Sequence, residues 1–192
     1  MTRAPVVIKL GGSLLSDPHD GRLQRWCERL AGEASGSAVI VPGGGAYADA
    51  VRDAQTHWRF SEDAAHRMAL RAMDQCGLML CDLFPALLAC DDIDALADHC
   101  AAGRTPVWLP SRHLDLSTDL PRDWTVTSDS IAVWLAARIG SPRVRLPGDD
   151  LDWDFGLTDR QGNAKPALLN FSLKSQIINP IMIQLTWLQN MA

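Results

Sequence analysis

At 192 residues, with 47% hydrophobic and 21% charged side chains, the chain has ordinary globular composition, long enough for one sizeable core and short for two full domains. Its net charge of −5 and scattered basic residues exclude the clustered positive stripe of a nucleic-acid surface and favour a small-molecule partner. No apolar run reaches the roughly 20 residues of a membrane span, and the five cysteines (Cys27, Cys76, Cys81, Cys90 and Cys100) form no CxxC pair, so buried free thiols are expected rather than disulfides or a zinc site.

The N-terminus leads straight into the apolar run 6–10 without the longer apolar core of a signal peptide, so a cytoplasmic protein is expected. Residues 6–10 are rich in β-branched side chains and end at Gly11 and Gly12, the pattern of a buried strand entering a tight turn. Leu23, Trp26, Cys27, Leu30, Ala31 and Ala34 follow at helical period. Residues 38–41 read as a second buried strand, closed by Pro42 and the glycines Gly43, Gly44 and Gly45. Ala46, Ala50, Val51 and Ala54 then indicate another helix.

Ser61, with Glu62 and Asp63 behind it, opens a helix by capping hydroxyl and first-turn acids. That helix buries a stripe from Ala65 to Leu83. A shorter helix is expected over 93–102, stopped by Gly103, then a strand over 106–109 ended by Pro110. A last helix is expected over 128–139, stopped by Gly140, with a further strand beginning at 144–146. Strand–helix alternation of this kind predicts an α/β fold, a three-layer sandwich with a mainly parallel sheet and helices on both faces.

Parallel strands deliver ligands to the loops at their carboxyl ends, which directs attention to two glycine-rich loops. Gly11, Gly12 and Ser13 offer unobstructed N–H groups and a hydroxyl to an anion, and Gly43, Gly44 and Gly45 do the same on the next strand. Neither loop matches Walker A or GxGxxG, and the missing dinucleotide fingerprint disfavours an oxidoreductase. Through residue 162 every basic side chain but Lys9 is arginine. A lone lysine two residues before Gly11 points to a need for a compact ammonium. Thr125, Thr127, Ser128 and Ser130 surround Asp129 at the start of a helix. An ordinary N-cap accounts for Ser128 and for Asp129 but not for all of these polar groups, and in a phosphoryl transfer a carboxylate so placed suits the holding of a catalytic lysine.

In order and spacing, Lys9 to Ser13, Pro42 to Gly45 and Thr127 to Ser130 resemble the amino acid kinase superfamily. Ala65 to Ala69 with Met73 and Asp74, Leu109 to Ser111 and Trp124 to Ser130 look most like its branch in methanofuran biosynthesis, which converts an aminomethyl-furanyl methyl phosphate to its diphosphate. The resemblance implies an ATP- and Mg²⁺-dependent phosphotransferase moving the γ-phosphoryl group to a small phosphate- or carboxylate-bearing acceptor. It implies Lys9 and Asp129 as catalytic residues, Gly11, Gly12, Ser13, Thr127 and Ser128 at the phosphates, and Gly43, Gly44, Gly45, His66 and Asp74 at the acceptor, with no protein metal site. The expected partner is a small-molecule substrate, with a homo-oligomer open and neither nucleic acid nor membrane.

The text changes near residue 162. Before it stand every arginine and every acidic residue; the last 30 residues contain neither, but hold Lys165, Lys174 and all the asparagines. The resemblance itself fades after about residue 146. The expected organisation is an acceptor-binding lobe at 1–146, truncated on its C-terminal side, and a divergent or foreign tail at 147–192. A catalytically inactive acceptor- and phosphate-binding module is the alternative function.

Overall fold

The computed structural model describes residues 4–19, 21–117, 119–147 and 153–156. In chain order the elements are β1 (Val6–Leu10), a 3-10 turn (Gly12–Leu15), α1 (Arg22–Ala31), β2 (Ala38–Pro42), α2 (Gly45–Trp58) and α3 (Glu62–Leu83). They continue with β3 (Leu87–Cys90), α4 (Leu96–Ala101), β4 (Thr105–Trp108), α5 (Ser111–Leu114), α6 (Ser128–Arg138), β5 (Arg143–Leu146) and β6 (Trp153–Gly156). The strands form one sheet in the order β3-β4-β2-β1-β5-β6. The first five are parallel, and β6 returns antiparallel to β5, with Val144 opposite Phe155.

The alternating strand residues feed two separate cores, as a sheet covered on both faces requires. Val7, Val39, Val41, Trp108 and Val144 pack on one face with Leu96 of α4 and the Ile131 to Ala136 run of α6. Ile8, Leu10, Ala38, Ile40 and Val107 pack on the other with Cys27 and Leu30 of α1. Long α3 contributes Leu70 and Met73 to the first core and Leu80 to the second. The expected three-layer, mainly parallel α/β architecture is therefore the one observed.

Several local features differ from the sequence reading, among them the unexpected α5 and Leu83, which ends the expected buried stripe of α3 but is 57% exposed. β3 was not expected, because Leu87 to Cys90 contains no β-branched residue and follows so closely on the apolar stripe of α3 that nothing in the run marks a strand. α4 starts at Leu96 rather than residue 93, since the Asp92 carboxylate accepts the Asp94 N–H at 3.0 Å and folds that stretch into a turn. The cap of α6 is Thr127 rather than Ser128: Thr127 Oγ1 accepts the Ser130 N–H at 3.4 Å. All five thiols are free. Burial pushes Cys27 up to about 12 and Cys76, Cys81 and Cys100 to about 11, which keeps them protonated and unreactive.

β6 lies beyond residue 146, where the expected lobe ends, yet it is a strand of the same sheet. The remainder of the expected tail, Pro147 apart, lies outside the described residues. Among the described residues no helix is long and apolar enough to cross a membrane.

Candidate active site

The site grows from the carboxyl ends of β1 and β2, which run side by side with Leu10 opposite Pro42. Their two loops touch. The Gly43 N–H donates to the Leu10 carbonyl at 2.7 Å, and a Cβ on Gly43 would lie 2.8 Å from the Gly12 nitrogen. On Gly12 a Cβ would meet the Gly45 Cα at 3.1 Å, and Gly45 itself has φ +50°. Side chains are thus excluded from the seam by backbone atoms that cannot swing away. Gly43 serves this clearance and spends its N–H on Leu10, so it is not among the donors open to a ligand.

Lys9 leaves β1 just before the first loop. Its Nζ stands 2.8 Å from Asp129 Oδ1 and 2.8 Å from where a Gly11 Cβ would be, so the ammonium arches over bare Gly11 backbone. Asp129 comes from the opposite direction, in the first turn of α6, where its charge also suits the helix dipole. The side chains are 14% and 29% exposed, so the pair is partly shielded and still reachable from solvent. Two residues 120 positions apart in sequence are joined because β1 and α6 pack together.

Beside this pair opens a cleft of about 310 Å³. Gly12, Ser13, Gly44, Gly45, Thr127 and Ser128 line it, together with His66. His66 is buried, not on a solvated helix face. Burial, aided by the Arg122 guanidinium, holds its imidazole below the usual histidine range, against a hydrogen bond to the Asp123 backbone and the carboxylates of Asp123 and Asp63. Asp74 does not line the cleft. Its carboxylate accepts the Ser111 N–H at 3.2 Å and the Ser111 hydroxyl, tying α3 to the start of α5. Burial pushes its acid upward and the Ser111 hydrogen bonds oppose this.

The sequence reading missed the far wall. Asp49 and Arg52 of α2 line the cleft, as does Trp124, which stands out in the sequence only as the start of the run Trp124 to Ser130. Trp124 donates its indole N–H to Gln55 Oε1 at 2.6 Å. The segment carrying it is tied to α3 by Arg122, which donates to Asp63 at 2.8 Å and to the Asp115 carbonyl at 2.7 Å, and by Arg71 to Asp115 at 2.6 Å. The available signal was the stripe Gly45, Ala48, Arg52 and Gln55, whose three- and four-residue steps put a cation on the helix face that begins at the glycine loop.

Comparison with known proteins agrees with this geometry. An aminomethylfuranyl-methyl phosphate kinase of Methanocaldococcus jannaschii is 31% identical over 144 residues, covering 74% of this chain, and the chain spans 65% of that relative's length. The fold is similar to the uridylate kinase of Archaeoglobus fulgidus (TM-score 0.57, 19% identity, 75% of this chain and 63% of that one). It is similar also to the UMP kinase of Bacillus anthracis (TM-score 0.57, 17% identity, 77% and 66%). The sequence pattern of the amino acid kinase family matches residues 4–149, the span that holds the two glycine loops, Lys9 and Asp129. The chain therefore belongs to the amino acid kinase family.

Proposed function

We propose that the cleft is the acceptor and phosphate side of an ATP-dependent phosphotransferase site, in which the γ-phosphoryl group passes to a small phosphate-bearing acceptor. The observation that carries this reading is the Lys9–Asp129 pair standing over Gly11. Phosphoryl transfer needs little covalent help from a protein; it needs reactants held in line and charge neutralised as it spreads over the transferring oxygens. Lys9, a compact cation, follows that charge between donor and acceptor, and Asp129 keeps it aimed. The N–H groups and hydroxyls of Gly12, Ser13, Thr127 and Ser128 hold phosphate oxygens. Mg²⁺ would neutralise phosphate charge. With no cluster of three acidic, His or Cys residues among the described residues, it would be bound mainly through the phosphates, as Mg²⁺ usually is.

The M. jannaschii relative supports a furanylmethyl phosphate as the first acceptor to try, and the structural neighbours support UMP as the second. In single-turnover assays with radiolabelled ATP at millimolar concentration and Mg²⁺, labelled diphosphate product is expected from one of these, and Lys9→Arg should abolish it while leaving the thermal melt unchanged. Arginine keeps the charge but is too broad and planar for a seat above Gly11. Product formed equally by Lys9→Arg would remove Lys9 from the mechanism. A second reading, a module that binds acceptor without transfer, is supported by the family match ending at residue 149. Acceptor binding with no labelled product would favour it.

A further inference from the structure

The wall of the cleft away from Lys9 carries a cation that the phosphate loops do not explain. Gly45, Ala48 and Arg52 of α2 line the cleft, and Gln55, one step further along the same face, accepts the Trp124 indole N–H. The guanidinium of Arg52 lies over the Trp124 ring, 4.5 Å from its centroid, with Nη1 2.9 Å from Asp49 Oδ1. Neither partner holds it firmly. The Asp49 pair is an i,i+3 contact with side chains 54% and 70% exposed, of the kind that water and salt weaken to little net value. The indole face offers no directed acceptor for the five N–H donors of a guanidinium.

Trp124, by contrast, is fixed, because Gln55 holds its nitrogen edge and the Arg122 and Asp115 contacts hold its segment to α3. The arginine is therefore a donor with weak, solvent-exposed partners, resting on a fixed indole. Helical side chains lean toward the N-terminus, so Arg52, two turns beyond Gly45, leans back toward the glycine loops. An anion in the cleft would offer the planar, bidentate partner that neither Asp49 nor Trp124 supplies.

We infer that Arg52, resting on Trp124, binds the anionic group of that phosphate-bearing acceptor and so sets the preference of the cleft for it over a neutral alcohol or amine. This rests on the cleft being the acceptor site. Its size, about 310 Å³, is at the low end for ligand pockets and fits a small ring with one phosphate.

The test uses the full chain and benzyl phosphate as probe, with benzyl alcohol as the uncharged control, followed by calorimetry. Wild-type protein should bind benzyl phosphate and not benzyl alcohol. Arg52→Gln should weaken binding roughly ten- to hundredfold, the loss of one charge-assisted contact, and Arg52→Lys should recover only part of it because the fork is missing. Both variants alter an exposed side chain, and unchanged melting curves would confirm that they fold. If Arg52→Gln binds as wild type while Lys9→Met does not, the inference about Arg52 is overturned and the cleft remains the acceptor site. If wild type does not bind benzyl phosphate, or Arg52→Gln and Lys9→Met both bind it as wild type does, the acceptor-site reading falls and the inference with it.

Discussion

A lysine that must stay close to backbone and a carboxylate that must stay close to the lysine have separable jobs, and Asp129 can be tested for both. It is partly exposed, and its place in the first turn of α6 contributes about 0.3–1 kcal/mol through the helix dipole. Asp129→Asn keeps its size, so folding stability should fall by about 1 kcal/mol or less. Turnover should fall by about 2 to 4 kcal/mol of transition-state stabilisation if the carboxylate orients Lys9. Equal small losses in both measurements would reduce Asp129 to a helix-end charge. His66 allows a different measurement, because burial holds its pKa below the ordinary histidine value. A group whose folded pKa is depressed in this way binds a proton more readily when unfolded, so stability rises with pH across the window. The stabilisation is complete above about pH 6.5, the unfolded value, and is lost as pH falls from there toward the folded pKa. Urea denaturation of wild type at pH 7.5 and 5 should show this loss and His66→Gln should lack it. The lowered acid of Asp63 does not interfere, since its window lies below the ordinary aspartate range. At this scale the pairing of Lys9 with Asp129 was legible, because the lone lysine and the carboxylate among hydroxyls each stand out from their setting. Asp74, which the resemblance alone placed at the acceptor, has its carboxylate taken up by the Ser111 N–H and hydroxyl outside the cleft lining, a partnership set by the α3–α5 packing and not by anything local in the sequence.

The elements that build the cleft are fixed by contacts between loops, and those contacts separate glycines that look alike in sequence. At Gly43 a Cβ would press on the Gly12 nitrogen at 2.8 Å and on Gly11 and Leu10 backbone at 3.2 Å, none of which can turn aside. At Gly103, φ is +74° and nothing lies within 4 Å of an added Cβ. Gly43→Ala is thus expected to destabilise by about 3 kcal/mol, the upper range for overpacking, and to damage turnover by splaying the loops. Gly103→Ala should cost about 1 kcal/mol, the price of left-handed backbone alone, with turnover intact. Denaturant midpoints of the two variants decide this, and similar values would mean that the loops can part easily. The helices were readable because their apolar stripes are long, and β1 and β2 because they are continuous apolar runs ending in glycines. β3 was not readable, since Leu87 to Cys90 lacks the β-branched residues that mark the equally short β4 and β5, and neither was the Thr127 cap, because Thr127 and Ser128 are chemically equivalent candidates that only backbone geometry distinguishes. The Arg52 wall needed the Trp124 segment brought against α2, and local spacing does not encode that approach.

At the scale of the molecule, strand–helix alternation foretold a parallel sheet, but the antiparallel return of β6 depends on a pairing made after Leu146, where the family resemblance fades. That strand completes a sheet edge, so a shortened chain ending at Gly156 keeps every described contact of the cleft. Beyond Gly156 the sequence holds a single acid, Asp159, and a single arginine, Arg160, and neither type after residue 162, so residues 157–192 offer few of the side chains that make the cleft's two ion pairs. The expectation is that they add nothing to acceptor recognition and little to nucleotide recognition. Calorimetry on the 192-residue chain and on the chain ending at Gly156 should then give equal affinities for benzyl phosphate and equally weak affinities for ATP with Mg²⁺. Positioning both reactants in line is worth several kcal/mol in such reactions, roughly 7 or more in the best-oriented cases, so weak nucleotide binding would also appear as slow transfer. A marked loss of ATP affinity in the shortened chain alone, with benzyl phosphate binding unchanged, would instead assign the nucleotide contacts to the residues beyond Gly156 and overturn the reading of that stretch as a foreign tail.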